Sequence, residues 1–254
     1  MKTLELLERL VAFPSVSAES NLEIISFIET YLNDLGFKVE RVVDGGGLKA
    51  GLLARIGPEV DGGVVLSAHT DVVPVAGQVW TREPFRLTRD GNRVFGRGTT
   101  DMKGFLASAL AGAARAARAD LKRPYLLSLS YDEEVGCVGI RSMIDRVIPM
   151  LGQPAFCIVG EPTLMQVATG HKGKGAYLAT CRGVAGHSAM APQFLNALHL
   201  AADFFCGFFS NVVELCTSSL CLFRNLDLVH EWRVEWEYTL NTDTTCYLAN
   251  RKGR

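Results

Sequence analysis

Three apolar runs in this chain end the same way, and that shared ending limits what the chain can fold into. "VVLSA" (64–68) breaks into His69, Thr70 and Asp71. "YLLSLSY" (125–131) breaks into Asp132, Glu133 and Glu134, and "AFCIVG" (155–160) into Glu161 and Pro162. Runs of this length, bounded by turn residues, read as buried strands. They are separated by helical patterns, so the expected fold class is α/β with a mainly parallel sheet. In a parallel sheet the carboxyl ends of the strands share one edge, where open α/β folds place their ligands. The acids and the histidine should therefore meet in one crevice.

The rest of the first 170 residues fits that frame. "SNLEIISFIETYLNDLGF" opens with Ser20, carries Glu23 three residues later as a capping box, and sets Ile25, Ile28, Leu32 and Leu35 on one stripe before Gly36. "FKVERVV", "LKAGLLARI" and "PYLLSLSY" read as strands, and "MKGFLASALAGAARAARA" and "GIRSMIDRVIPM" as helices. From about Val167 the pattern changes to glycine-punctuated, strand-like "VATGHKGKGAYLATCRGVAGHS", followed by a helix in "APQFLNALHLAADFF". The expected division is a catalytic-type domain over 1–173 and a smaller α+β unit over 174–254. Beyond about 204 the composition is atypical, with four of the seven cysteines and only "WRVEWEYTL" assignable, as a strand.

Charge and cysteine usage narrow the function classes. With 26 Lys and Arg against 27 Asp and Glu, and no basic stripe interleaved with aromatics, nucleic acid is not an expected partner. The amino-terminal "MKTLELLERLVAF" sets Leu4, Leu7 and Val11 on one face but interrupts it with Glu5, Glu8 and Arg9, so it lacks the apolar centre of a signal peptide. The longest stretch free of charged residues, 183–202, contains His187, Pro192, Gln193 and Asn196, which a membrane span rarely tolerates. Seven scattered cysteines with no C-x-x-C pair fit a reducing cytoplasm.

Gathering Asp71, Asp101, Glu133, Glu134 and Glu161 at one edge carries a cost. Asp101, in the glycine-rich "FGRGTTDMKG" before the alanine-rich helix, can reach that edge as well. Each pair of like charges repels by roughly 1 kcal/mol or more at surface-like dielectric. No Lys or Arg is as well placed at these strand ends, whereas histidine beside carboxylates is the donor set that zinc, cobalt or manganese accepts. Two divalent ions carry four positive charges, which Asp101, Glu134, Glu161 and one hydroxide balance. Asp101, alone on its loop, is placed to bridge ions about 3.5–4 Å apart. Two residues after His69 in an extended chain, Asp71 projects to the same side and can accept its ring N–H, so that the other nitrogen faces a metal. Glu133 and Glu134, with opposite directions if extended, divide into a base (Glu133) and a ligand (Glu134). "GRGTT" lacks the lysine and spacing of a phosphate-binding loop. His171, His199 and His230 read as structural.

"SAHTDVVPV", "GQVWTREPFRLTRDGNRVFGRGTTDMKG", "SYDEEVGCVG" and "IVGEPT" together resemble the acetylornithine deacetylase and succinyl-diaminopimelate desuccinylase group of co-catalytic zinc amidohydrolases. "GQVWT" and "TGHKGKGAYL" lean toward the acetylornithine deacetylase branch. The resemblance implies a zinc-aminopeptidase-like catalytic domain with a mixed, mainly parallel sheet flanked by helices, plus an α+β dimerisation domain. It implies two divalent ions, zinc or cobalt, with His69, Asp101 and Glu161 at one and Asp101 and Glu134 at the other. Glu133 is then the base and Asp71 the orienting group. "AGHSAMAP" resembles the dimerisation-domain segment whose histidine, here His187, reaches the partner subunit's site and steadies the oxyanion. The implied reaction is hydrolysis of N-acetylornithine to acetate and ornithine in arginine biosynthesis, by a cytoplasmic homodimer. A related N-acyl amino acid or peptide amidohydrolase is the alternative. The resemblance covers roughly residues 4–203. Family members run on to complete the catalytic domain and supply a last histidine to the second metal, so a truncated or frame-disrupted, inactive remnant is a further expectation.

Overall fold

The computed structural model describes residues 1–170, 180–184 and 193–206, and the backbone of 232–237 and 245–250. It divides into two compact units, Met1–Val167 and Ala168–Arg254. In the first, the order is α1 (Thr3–Val11), α2 (Leu22–Asp34), β1 (Lys38–Val43), β2 (Ala50–Ile56), β3 (Val64–His69), β4 (Thr88–Asp90), β5 (Arg93–Phe95), α3 (Gly104–Ala116), β6 (Tyr125–Ser130), α4 (Val138–Leu151) and β7 (Phe156–Val159). The main sheet has the order β1-β2-β6-β3-β7. β3 pairs in parallel with both β6 and β7, while β2 pairs antiparallel with β1 and with β6. Four strands thus point one way and β2 alone opposes them, the mixed, mainly parallel sheet expected. β4 and β5 form a separate hairpin.

Alternation along the central strands splits the core between two faces. Leu52 and Ala54 of β2, with Leu127 and Leu129 of β6 and Ala68 of β3, join α1, α2 and α3 in one cluster. Leu53, Leu126 and Val65 join Met143, Met150 and Leu151 of α4 on the other face. Ile24, Ile25, Ile28 and Leu32 of α2 are fully buried, each contributing about 1.5–3 kcal/mol of transfer free energy. On α1 the buried face is Leu6, Leu7, Leu10 and Val11, and Leu4 is exposed. β7 lies at an edge, with Phe156, Ile158 and Val159 exposed.

The start of α2 differs from the expected capping box. The helix begins one residue later, with Asn21 at the N-cap and no side-chain cap bond. Asn21 instead turns inward: its Nδ2 donates to the Ala50 carbonyl at 2.8 Å, and its Oδ1 accepts the Ala50 N–H at 2.9 Å. These backbone groups at the start of β2 are buried, so satisfying them outweighs an exposed cap.

In the second unit β8 (Thr180–Arg182), β9 (Trp232–Glu237) and β10 (Thr245–Asn250) form an antiparallel sheet of order β8-β10-β9, and residues 197–206 are helical. His171, His187 and His230 lie outside the described residues. Among the described residues no helix is long and apolar enough to cross a membrane.

The Asn21 arrangement makes a test. Asn21→Ala strands two buried backbone groups and should lower unfolding free energy by about 2–4 kcal/mol, whereas Ser20→Ala should cost less than about 0.5 kcal/mol. Urea unfolding of both variants checks this; equal losses would restore Ser20 as the cap.

Candidate metal centre

Parallel pairing sets the carboxyl ends of β3, β6 and β7 side by side: His69 is opposite Ser130, and Ser67 is opposite Val159. The segments that follow therefore start from one edge. His69 Nε2 lies 3.1 Å from Asp101 Oδ1, 3.8 Å from Glu161 Oε1 and 4.0 Å from Glu133 Oε2. Two sets of potential ligand atoms each lie within 4.8 Å of one another: His69 with Glu133 and Glu161, and His69 with Asp101 and Glu134. All five groups come together, and Asp101 and Glu161 of the expected His69–Asp101–Glu161 set both lie beside His69 Nε2. His69 is buried, while Asp101 keeps 43% of its side-chain surface. The ring is fixed from below and its partners are reachable from solvent.

Each group is held by identifiable local structure. Asp101 sits in a kinked segment, Thr99–Lys103, entered through Gly98 at φ +79°. A Cβ at Gly98 would stand 2.6 Å from Val72 Cγ1. After Asp101, Lys103 is fully buried and its Nζ donates to the carbonyls of Leu10 (2.9 Å) and Phe13 (2.7 Å) where α1 ends. Burial pushes its ammonium down to about 7, against the pull of Asp71. Glu161 follows Gly160, where a Cβ would fall 1.9 Å from the Phe105 ring, so only glycine lets β7 exit over α3.

Asp71 joins the elements. His69 Nδ1 lies 2.9 Å from the Asp71 main-chain carbonyl and 3.4 Å from its Oδ1, so the nearer acceptor is backbone, not the carboxylate expected. The carboxylate accepts Ser17 Oγ–H at 2.6 Å and the N–H groups of Glu133 (3.1 Å) and Glu134 (3.3 Å). Burial alone would raise its pKa, but the bonds from His69, Ser17 and Glu133 together hold it down at about 2. For His69, burial opposes protonation, and Asp101 and Asp71, with Glu161 farther off, outweigh it and push the ring up to about 10. Burial, with Asp101, Glu133 and Glu134 nearby, raises Glu161 despite His69.

Several contributors were not singled out in the sequence: Ser15, Ser17, Ala18, Lys49, Lys103 and Asp132. Ser15 Oγ donates to the Thr70 carbonyl at 2.7 Å, and Val16 bridges Val72 in parallel. Arg97 feels the charges of Glu134 and Asp101 and stacks over Trp80 at 4.8 Å. One imidazole, neutral once a metal displaces its proton, amid half-exposed carboxylates is a borderline-hard donor set that fits zinc, cobalt or manganese.

The family profile described as peptidase family M20/M25/M40 matches residues 65–248, well over half of the chain and past residue 203. The chain belongs to this family. Among curated M20 relatives, the acetylornithine deacetylases of Shigella sonnei and Salmonella arizonae are each 36% identical over 207 residues, covering 79% of this chain and 53% of theirs. The chain spans about half the length of the curated relatives it matches. The fold is shared with an M20 metallo-carboxypeptidase of Sulfolobus solfataricus (TM-score 0.65, 19% identity, 98% of this chain and 71% of that one). It is shared also with a tripeptidase of Staphylococcus aureus (TM-score 0.61, 14% identity, 98% and 65%).

The two shifted groups predict opposite limbs of a stability profile. A histidine raised to about 10 stabilises fully below its unfolded value near 6.5 and loses that contribution as pH rises through 10. Asp71, lowered to about 2, contributes above its unfolded value of 3.8 and loses it as pH falls toward 2. Chelator-treated protein should thus lose urea resistance steadily from about pH 6.5 to 10, and His69→Gln should flatten that limb. A wild-type profile level over this range would contradict the assignment.

Proposed function

We propose that this chain carries the metal-binding and water-activating part of an M20 amidohydrolase acting on N-acyl amino acids, with N-acetylornithine as substrate. The observation that carries the reading is the convergence of one imidazole at the end of β3 with three carboxylates that follow β6 and β7 and a fourth, Asp101, from the segment before α3. The choice of N-acetylornithine rests on the 36% identity to acetylornithine deacetylases. Related N-acyl substrates, such as N-succinyl-diaminopimelate, form the comparison class.

His69, Asp101, Glu134 and Glu161 would hold two divalent ions, zinc or cobalt, with Asp101 shared. When bound, these ions lower the pKa of a water toward about 7 and polarise the substrate carbonyl. Asp71 keeps the His69 ring turned so that Nε2 faces the site. Glu133 removes the proton of the attacking water as the new C–O bond forms. It then delivers that proton to the amide nitrogen as the C–N bond breaks, leaving acetate and ornithine. In this reading residues 174–254 belong to a dimerisation unit, and His187 stabilises the developing oxyanion from the partner subunit. Free thiols at Cys137, Cys157, Cys181 and Cys206 fit a cytoplasmic enzyme.

Hydrolysis of N-acetylornithine by the chain supplied with cobalt or zinc tests the proposal. Glu133→Gln should cut turnover by about 10²–10⁴-fold while leaving metal uptake in place. Because His69 is the one imidazole at this site among the described residues, one of the two ions would have only carboxylates from them, and zinc titration should show one tight and one weaker equivalent. No hydrolysis of any N-acyl amino acid by wild-type protein, or two equally tight zinc equivalents, would contradict the reading.

A further inference from the structure

The turn that presents Glu133 and Glu134 depends on a residue with no place in the metal set. Asp132, between β6 and these acids, adopts a left-handed backbone (φ +51°) that non-glycine residues seldom use. Its carboxylate is buried rather than turned to solvent. Oδ1 accepts two bonds, from Lys49 Nζ at 2.5 Å and from the Ala18 N–H at 2.9 Å. Lys49, also buried, comes from a fixed base: its N–H donates to Asp44 Oδ1 at 2.8 Å, and its carbonyl accepts the Asp44 N–H at 2.9 Å, closing the β1–β2 turn. Ala18 follows Ser17, whose hydroxyl holds Asp71.

On the far side of Asp132 the chain is tied down as well. The Val138 N–H donates to the Asp132 carbonyl at 3.1 Å and the Gly139 N–H to that of Tyr131 at 3.0 Å, while Glu133 and Glu134 direct their N–H groups to Asp71. The backbone angle at Asp132 sets where the next two side chains point. A buried ion pair is on average no better for stability than a well-packed apolar pair. Its position, one residue before the acid pair and anchored to two other segments, gives it a different use.

We infer that Lys49 and Asp132, with the Ala18 N–H, are a positioning device that locks the left-handed turn and thereby aims Glu133 and Glu134 at His69. The inference rests on the metal-centre reading above, and the experiment separates the two. Zinc is titrated calorimetrically into the chelator-treated full chain, with circular dichroism confirming that each variant is folded. Lys49→Met and Asp132→Gly should weaken zinc binding about tenfold or more, within the range for groups that orient metal ligands. Glycine accepts the backbone angle without strain, so its loss reports the missing anchor and not steric conflict. Asp132→Asn keeps an oxygen acceptor for both donors and tolerates the left-handed region, and should stay within about threefold of wild type. A merely structural pair would lower the melting temperature in Lys49→Met and Asp132→Gly without moving the zinc affinity of the folded protein. If Lys49→Met does not fold, Asp132→Gly against Asp132→Asn decides. Wild-type affinity in the folded variants, beside a large loss in His69→Ala, overturns the positioning role alone. Undiminished binding in His69→Ala overturns the metal centre beneath it.

Discussion

The buried carboxylate of Asp71 is the interaction on which the candidate site depends. An ionised carboxylate inside a protein costs several kcal/mol unless donors surround it. Here the donors come from distant parts of the chain: Ser17 Oγ from the α1–α2 connector and the N–H groups of Glu133 and Glu134 after β6, with the His69 ring alongside. Satisfying one charge thus fastens three segments at the same edge of the sheet. The connector repeats the pattern, with Ser15 on Thr70 and Ala18 on Asp132, while Lys103 ties the Asp101 segment to the end of α1. A loop that looks like a link between two helices is the clamp for the strand ends.

Donor supply separates the structural acid from the proposed ligands. Asp71 is saturated with N–H and O–H donors and held at about 2, so it stays ionised. Glu161 is shifted the other way, because burial and neighbouring carboxylates outweigh the help of His69. Asp101, Glu133 and Glu161 retain between a third and about two-fifths of their side-chain surface, and all face the buried His69 Nε2. A group of acids with this unequal support is calmed by protonating histidine, as the value near 10 for His69 indicates, or by a cation of higher charge. The second solution, the one proposed, would leave the imidazole neutral.

The residues that announce themselves in the sequence are those breaking an apolar period. His69, Asp71, Glu133, Glu134 and Glu161 each follow a run that has no other reason to end in charge, and the order of strands and helices follows from hydrophobic length. Strand direction is less visible, since alternation reads the same both ways. The glycine-rich "VVDGGGLKA" marks the β1–β2 hairpin, yet nothing local shows that β2 then lies antiparallel to β6. Ser17, Lys49 and the role of Asp132 were hidden because their partners are 54, 83 and 114 residues away, as Ser17–Asp71, Lys49–Asp132 and Ala18–Asp132 pairs. Ser20 and Asn21 show the converse: a short-range capping signal yields when a buried backbone pair offers the neighbour more.

The central claim is that the carboxylates at this edge are organised for divalent cations around one imidazole. Anomalous diffraction at the zinc edge, from crystals of the chain grown with zinc, tests it most directly. The account predicts a peak about 2 Å from His69 Nε2, with oxygens of Asp101, Glu134 or Glu161 completing the coordination. A fully loaded crystal whose only peaks lie away from His69, with the acids turned apart, would contradict it.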